Sequence, residues 1–199
     1  STKQSTHNIG SMGGAVSAKS ERRGASILTV IGKAQLSGEG LPNSRPDAAR
    51  LFALAADEGD AHGLCALADC HMNGWGVPYD PAGAFEMFQE AAALGYAPAM
   101  HCLGLCYRAG VGTAHGIDMQ ESFAQFRQAA TAEWGAPVES IHELGLCYLR
   151  GLGTAKFAVR GVSWLNKSAR LGYEPSGIVL RNYYQGIDLD KGSLSIIEN

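Results

Sequence analysis

AHGLCALADCHMNGWGVPYDPAGAFEMFQEAAALGY, residues 61–96, reads as two helices joined by a glycine-bearing turn. Leu67-Ala68 is followed, four residues after Leu67, by His71, and residues i and i+4 share one helix face. Gly74-Trp75-Gly76 then ends that helix, because glycine takes the left-handed capping conformation without a Cβ clash. Asp80 before Pro81 opens the second helix, a capping carboxylate ahead of a proline at the first helical position. Ala84, Phe88 and Ala91-Ala92 continue it at helical spacing, and Gly95 closes it.

The same phrases recur along the chain. Gly38-Glu39-Gly40, Gly74-Trp75-Gly76, Gly110-Val111-Gly112 and Gly151-Leu152-Gly153 start 36, 36 and 41 residues apart, a period that belongs to helical solenoids. The Leu column reads Ile31-Gly32, Leu67-Ala68, Leu103-Gly104, Leu144-Gly145 and Leu180-Arg181, with Gln35, His71, Tyr107, Tyr148 and Tyr184 one turn later. A mid-helix glycine costs about 1 kcal/mol relative to alanine, so Gly32, Gly104 and Gly145 mark places where a neighbouring helix comes close. Second helices repeat as Ala48, Phe52, Ala55-Ala56, then Ser122, Phe126, Ala129-Ala130, then Gly161, Trp164-Leu165, Ser168-Ala169, with Trp164 expected in the aromatic core column. Pro46-Asp47 and Asp118 punctuate their starts. The long spacing of 41 is an ordinary 36 with two residues added in the third turn and three more between Ala130 and Leu144. Insertions in connections cost little.

Composition limits what this array does. With 199 residues and 46% hydrophobic content a real core can form, and no apolar run is long enough to cross a bilayer, so membrane insertion is not expected. The net charge is −3, yet the opening 24 residues carry Lys3, Lys19, Arg22 and Arg23 against Glu21, so the body is acidic and disfavours nucleic acid. That stretch, rich in Ser, Thr and Gly, reads as a disordered tail or linker over 1–24, ahead of a repeat body over 25–188 and a tail over 189–199. Five cysteines without a Cys-x-x-Cys pair fit neither a disulfide framework nor a zinc ribbon and favour a reducing compartment such as the cytoplasm. Cys70, Cys106 and Cys147 share one repeat position and read as small buried side chains. His62, Cys65, Cys70, His71, His101 and Cys102 have zinc-ligand chemistry, but adjacent helical residues point about 100° apart, so no metal or other cofactor is expected. Catalytic signatures of hydrolases, nucleotide-binding loops and zinc proteases are absent from the sequence, which weighs against an enzyme.

The Leu-Ala-x-x-His, Gly-Trp-Gly-Val-Pro-x-Asp, Ala-x-x-x-Phe and Ala-Ala-x-x-Gly elements of residues 61–96 resemble the Sel1-like repeat, and residues 102–112 and 144–153 repeat its first half. The resemblance spans about residues 28 to 185 and implies an all-α, right-handed superhelical solenoid of antiparallel helix pairs. Four repeats are followed by a terminal half repeat, and the first and last units, which depart from the pattern, are expected to act as caps. It further implies a scaffold or adaptor that binds another protein or a peptide on a concave face lined by the first helices, with the chain a monomer or weak oligomer. On that analogy Asp69, Asn73, His101, Leu105, Arg108, His142, Leu146 and Arg150 face the groove, together with Cys65, Met72, Ala109 and Leu149. Such a groove suits a peptide carrying acids for Arg108 and Arg150 and one or two apolar side chains, with His101 and His142 tuning affinity near neutral pH. The alternative is a small-molecule binder or hydrolase of the bacterial, β-lactam-binding Sel1-like type. Trp75 and Trp134 stand in connections, where partner contact and loop packing are equally credible.

Overall fold

The computed structural model describes residues 26–133 and 135–187. Over them run nine helices and no strand: α1 (Ile27–Ser37), α2 (Arg45–Asp57), α3 (Ala61–Asn73), α4 (Pro81–Ala93), α5 (Ala97–Ala109), α6 (Met119–Ala130), α7 (Val138–Arg150), α8 (Ala158–Arg170) and α9 (Glu174–Tyr184). Each of α1, α3, α5 and α7 packs on the helix that follows it, four hairpins stack in sequence order, and α9 packs on α8 as a half repeat, with no partner helix after it among the described residues. The tails expected over 1–24 and 189–199 lie outside the described residues, as does Trp134.

Within each hairpin the Leu-Gly step is the crossing point. An added Cβ on Gly32 or Gly104 would sit 2.6 Å from the Phe52 or Phe126 ring, and one on Gly145 would sit 2.8 Å from Leu165. The three side chains they meet are almost wholly buried, so the missing methyl is what lets a large side chain seat against the helix backbone. Leu165 rather than Trp164 therefore holds the fourth core position, four residues after Gly161 as Phe52 follows Ala48 and Phe126 follows Ser122. Trp164 instead lies partly buried against the Ala130, Ile141 and Leu144 cluster, with the Lys167 ammonium 4.9 Å from its ring centre.

The two glycines of each Gly-x-Gly have different work. Gly38, Gly74, Gly110 and Gly151 are left-handed caps whose N–H donates back to the carbonyl of Ala34, Cys70, Cys106 and Cys147. The second glycines dock one hairpin on the hairpin before it. A Cβ on Gly76 would collide with the Arg45–Pro46 backbone at the start of α2, one on Gly112 with the Pro81 carbonyl at the start of α4, and one on Gly153 with the Met119 carbonyl at the start of α6. Gly40, in the first hairpin, has the same positive φ with open space beside it. Trp75 belongs to this junction too, packed on the Ala48, Phe52 and Cys70 cluster with the Arg45 guanidinium 5.8 Å from its ring.

Turn geometry repeats as closely. The N–H of Ser44, Asp80, Asp118 and Phe157, each the residue ahead of a second helix, donates to the carbonyl of Gln35, His71, Tyr107 and Tyr148 at 2.8 to 3.1 Å. Asp80 and Asp118 cap as expected, Ser44 takes that place in the first unit ahead of Pro46, and Phe157 offers no side-chain cap. The two extra residues of the third turn bulge out between fixed anchor points. The other insertion makes the connection between α6 and α7 seven residues long, 131–137, where α2–α3, α4–α5 and α8–α9 are joined by three.

Candidate functional site

Cross-repeat side-chain contacts concentrate on the first helices. His101 Nδ1 shares a hydrogen bond of 2.9 Å with Ser140 Oγ, and His142 Nδ1 one of 2.8 Å with Ser176 Oγ. In both pairs a residue two before the Leu column meets one four before the next Leu column. Thr29 stands against Gly63 in the same register, its hydroxyl 3.0 Å from where a Cβ would be. The column of small residues Gly63, Ala99, Ser140 and Ser176 is the sequence signal for this contact.

These bonds change the reading of the two histidines. His142 is only 7% exposed and packs edge-on against Tyr173, while half-buried His101 lies 5.6 Å from the Phe126 ring. Burial pushes both imidazoles below their ordinary value, against the opposing pull of Glu143. They are therefore neutral around pH 7 and act as links between repeats.

Arg108 is likewise engaged. Its guanidinium donates to the Glu143 carboxylate of the next first helix and lies 5.5 Å from the Phe126 ring. Glu143 was not visible as a site residue in the sequence, although its position directly before the Leu column places it opposite Arg108 once the repeats stack. A partner's acid would have to displace that carboxylate.

Of the remaining expected groove residues, Leu105, Leu146 and Asp69 occupy one repeat position, two after the Leu column, and all three are half-buried. Exposed Asn73 turns its amide back to the Asp69 carbonyl, 2.8 Å away, and Arg150 closes α7 half-buried. Burial pushes the Asp69 carboxyl from 3.8 up to about 6, against the Lys33 ammonium of the preceding repeat. A carboxyl whose value is raised by folding stabilises the fold when protonated, so this contribution is present below about pH 4 and lost as pH rises through 6. Asp69→Asn is accordingly expected to gain about 1 kcal/mol at pH 7 and nothing at pH 4, measured by urea unfolding at both values.

At the other end of α3, Asp60 ties two repeats together. Its carboxylate accepts from the Ser26 N–H (2.9 Å), the Thr29 hydroxyl (2.7 Å) and the His62 N–H (3.0 Å). Burial works to raise this carboxyl, but those hydrogen bonds outweigh it and hold it at about 2. Stability from Asp60 is thus present above about pH 4 and lost as pH falls through 2. Asp60→Ala should cost about 2 kcal/mol at neutral pH, read by thermal unfolding, and shrink to nothing in acid.

The cysteines carry no paired chemistry. Burial raises the Cys70 and Cys106 thiols to about 11 and Cys147 to about 12, while contact with Cys102 and burial raise Cys65. Among the described residues no three His, Cys, Asp or Glu side chains converge on a point that would hold a metal ion.

With this geometry in view, comparison with known proteins is direct. A model of the Sel1 repeat matches four successive segments, 31–60, 61–96, 97–133 and 138–173. The chain belongs to the Sel1 repeat family. Sel1 repeats generally serve protein–protein interaction, and Sel1 scaffold proteins are generally non-catalytic. Similar solved structures include a Sel1 repeat protein from Oxalobacter formigenes, 24% identical over 79% of this chain and 63% of that one, with a TM-score of 0.66. Another is c5321, a protective antigen of uropathogenic Escherichia coli strains with the same repeat fold, 29% identical over 80% of this chain and 33% of that one, TM-score 0.69. A third, from Klebsiella pneumoniae, is 20% identical over 78% of this chain and 75% of that one, TM-score 0.51. This chain therefore spans less than two thirds of the first two. A search of curated proteins found no match. Among the described residues no helix is long and apolar enough to cross a membrane.

Proposed function

We propose that this Sel1 array binds a peptide segment of a partner protein along the face formed by α3, α5 and α7. The observation that carries the reading is the concentration of direct side-chain links along the first helices: Thr29 of α1 to Asp60, the cap of α3, then His101 to Ser140, Arg108 to Glu143 and His142 to Ser176. In a curved stack the layer of smaller radius has its elements closest together, so helices near enough to share such bonds form the inner, concave wall. Asp69, Leu105 and Leu146 then repeat along that wall at one register, one acid and two apolar surfaces. An extended segment offering apolar side chains to two repeats would suit such a surface.

With Arg108 committed to Glu143, recognition rests on Leu105 and Leu146, with Asn73 and Arg150 at the helix ends. Selection of displayed random peptides on the folded protein, followed by hydrogen exchange of the complex, tests this. Selected peptides should protect α3, α5 and α7 and lose at least about tenfold in affinity to Leu105→Asp and Leu146→Asp. Protection confined to the second helices would sink the proposal.

A further inference from the structure

The one long connection between successive hairpins borders a cavity. Thr131, Ala132, Glu133 and Gly135 of this connection border about 550 Å³ against the starts of α3 and α5, within the size range of ligand pockets. His62, Tyr96, Met100, Gln128, Thr131 and Glu133 line it. The three-residue connections α2–α3, α4–α5 and α8–α9 are too short to build such a wall.

Its chemistry is one-sided. The His62 and Tyr96 rings stand 4.4 Å apart, Met100 and Leu94 supply apolar wall, and exposed Glu133 is the acid among the lining residues. Behind the His62 ring lies the Asp60 carboxylate, 3.1 Å from Nδ1, which is ionised at neutral pH. Between Arg50 and Arg108 the sequence holds seven Asp and Glu residues and no Lys or Arg. Among the described residues no lysine or arginine lines the cavity either. Among the described residues the charge here is negative, so an anionic ligand would be repelled and a cation drawn in.

We propose that this cavity receives an arginine side chain from a basic segment of a partner protein. Arginine fits where lysine does not, because its planar guanidinium stacks on a ring while forking to a carboxylate, and its stem covers apolar surface. Glu133 provides the carboxylate, Tyr96 and His62 the rings, and Leu94 and Met100 the bed for the stem. The site is separate from the Leu105 and Leu146 surface and stands or falls without it.

Fluorescence anisotropy with a labelled, amidated peptide of alternating arginine and alanine tests this, using the full chain at physiological ionic strength and matched lysine and citrulline peptides as comparisons. The arginine peptide should bind about tenfold more tightly than either, and Glu133→Gln should remove about tenfold of its affinity. Glu86→Gln, an exposed acid of α4 outside the cavity, should leave binding unchanged. Equal affinity for arginine and lysine peptides, or equal losses in Glu133→Gln and Glu86→Gln, would mean diffuse attraction to an acidic surface and overturn the proposal, as would no binding by the unaltered protein.

Discussion

Gly153→Ala is expected to cost about 3 kcal/mol or more and to uncouple the fourth repeat from the third, whereas Gly40→Ala, the same substitution at the same repeat position, is expected to cost about 1 kcal/mol. Both glycines have a positive φ, +69° and +73°, so the left-handed strain on an added Cβ is common to them. What differs is the neighbour. A Cβ on Gly153 runs into the Met119 carbonyl and the Gln120 amide at the start of α6, backbone atoms held by the Asp118 cap, while nothing lies within 4 Å of one on Gly40. Backbone on backbone has no rotamer to yield, so the whole hairpin α7–α8 has to tilt away. Solenoid stability resides largely in nearest-neighbour interfaces, so that tilt should also split the unfolding transition. Urea titration followed by circular dichroism gives the cost, and hydrogen exchange gives the split. Equal losses at the two positions would show that the second glycine serves only its own turn.

This pair of glycines also shows what was legible beforehand. The period, the helix ends and the close crossing at Gly32, Gly104 and Gly145 followed from residue type and spacing, because capping and small-residue contacts are local consequences of a missing Cβ. The docking role of Gly76, Gly112 and Gly153 was not legible, since it depends on backbone brought in from more than thirty residues earlier. The same limit explains the candidate site. His101, Arg108 and His142 stand at groove positions when a helix is viewed alone, yet their partners Ser140, Glu143 and Ser176 sit on the next first helix, 34 to 39 residues away. Asp69, Leu105 and Leu146, assigned to the groove by the family resemblance, are half-buried. The irregular connection 131–137 was visible as an insertion, but its cavity forms only against His62 and Tyr96 of the preceding hairpins.

Gly104→Val should cost about 3 kcal/mol, and the loss should shrink when the ring opposite is removed. An added Cβ at position 104 lies 2.6 and 2.7 Å from two carbons of the buried Phe126 ring, so a branched side chain forces α5 and α6 apart. Parting them also stretches the 2.8 Å bond from the Ser122 hydroxyl to the Gly104 carbonyl, which ties the same crossing. Phe126→Ala alone should cost about 3 to 5 kcal/mol through the void it leaves. In the double variant the valine occupies part of that void, so the combined loss should fall short of the two single losses added together by about 1 to 2 kcal/mol. The second repeat supports this exchange, since Ala68 stands where Gly104 does and shares one cluster with buried Phe88, so a methyl fits where the pair is spaced for it. Strict additivity in a double-mutant cycle measured by urea unfolding would mean that position 104 is small for the sake of its own helix, and that the crossing distance is set elsewhere.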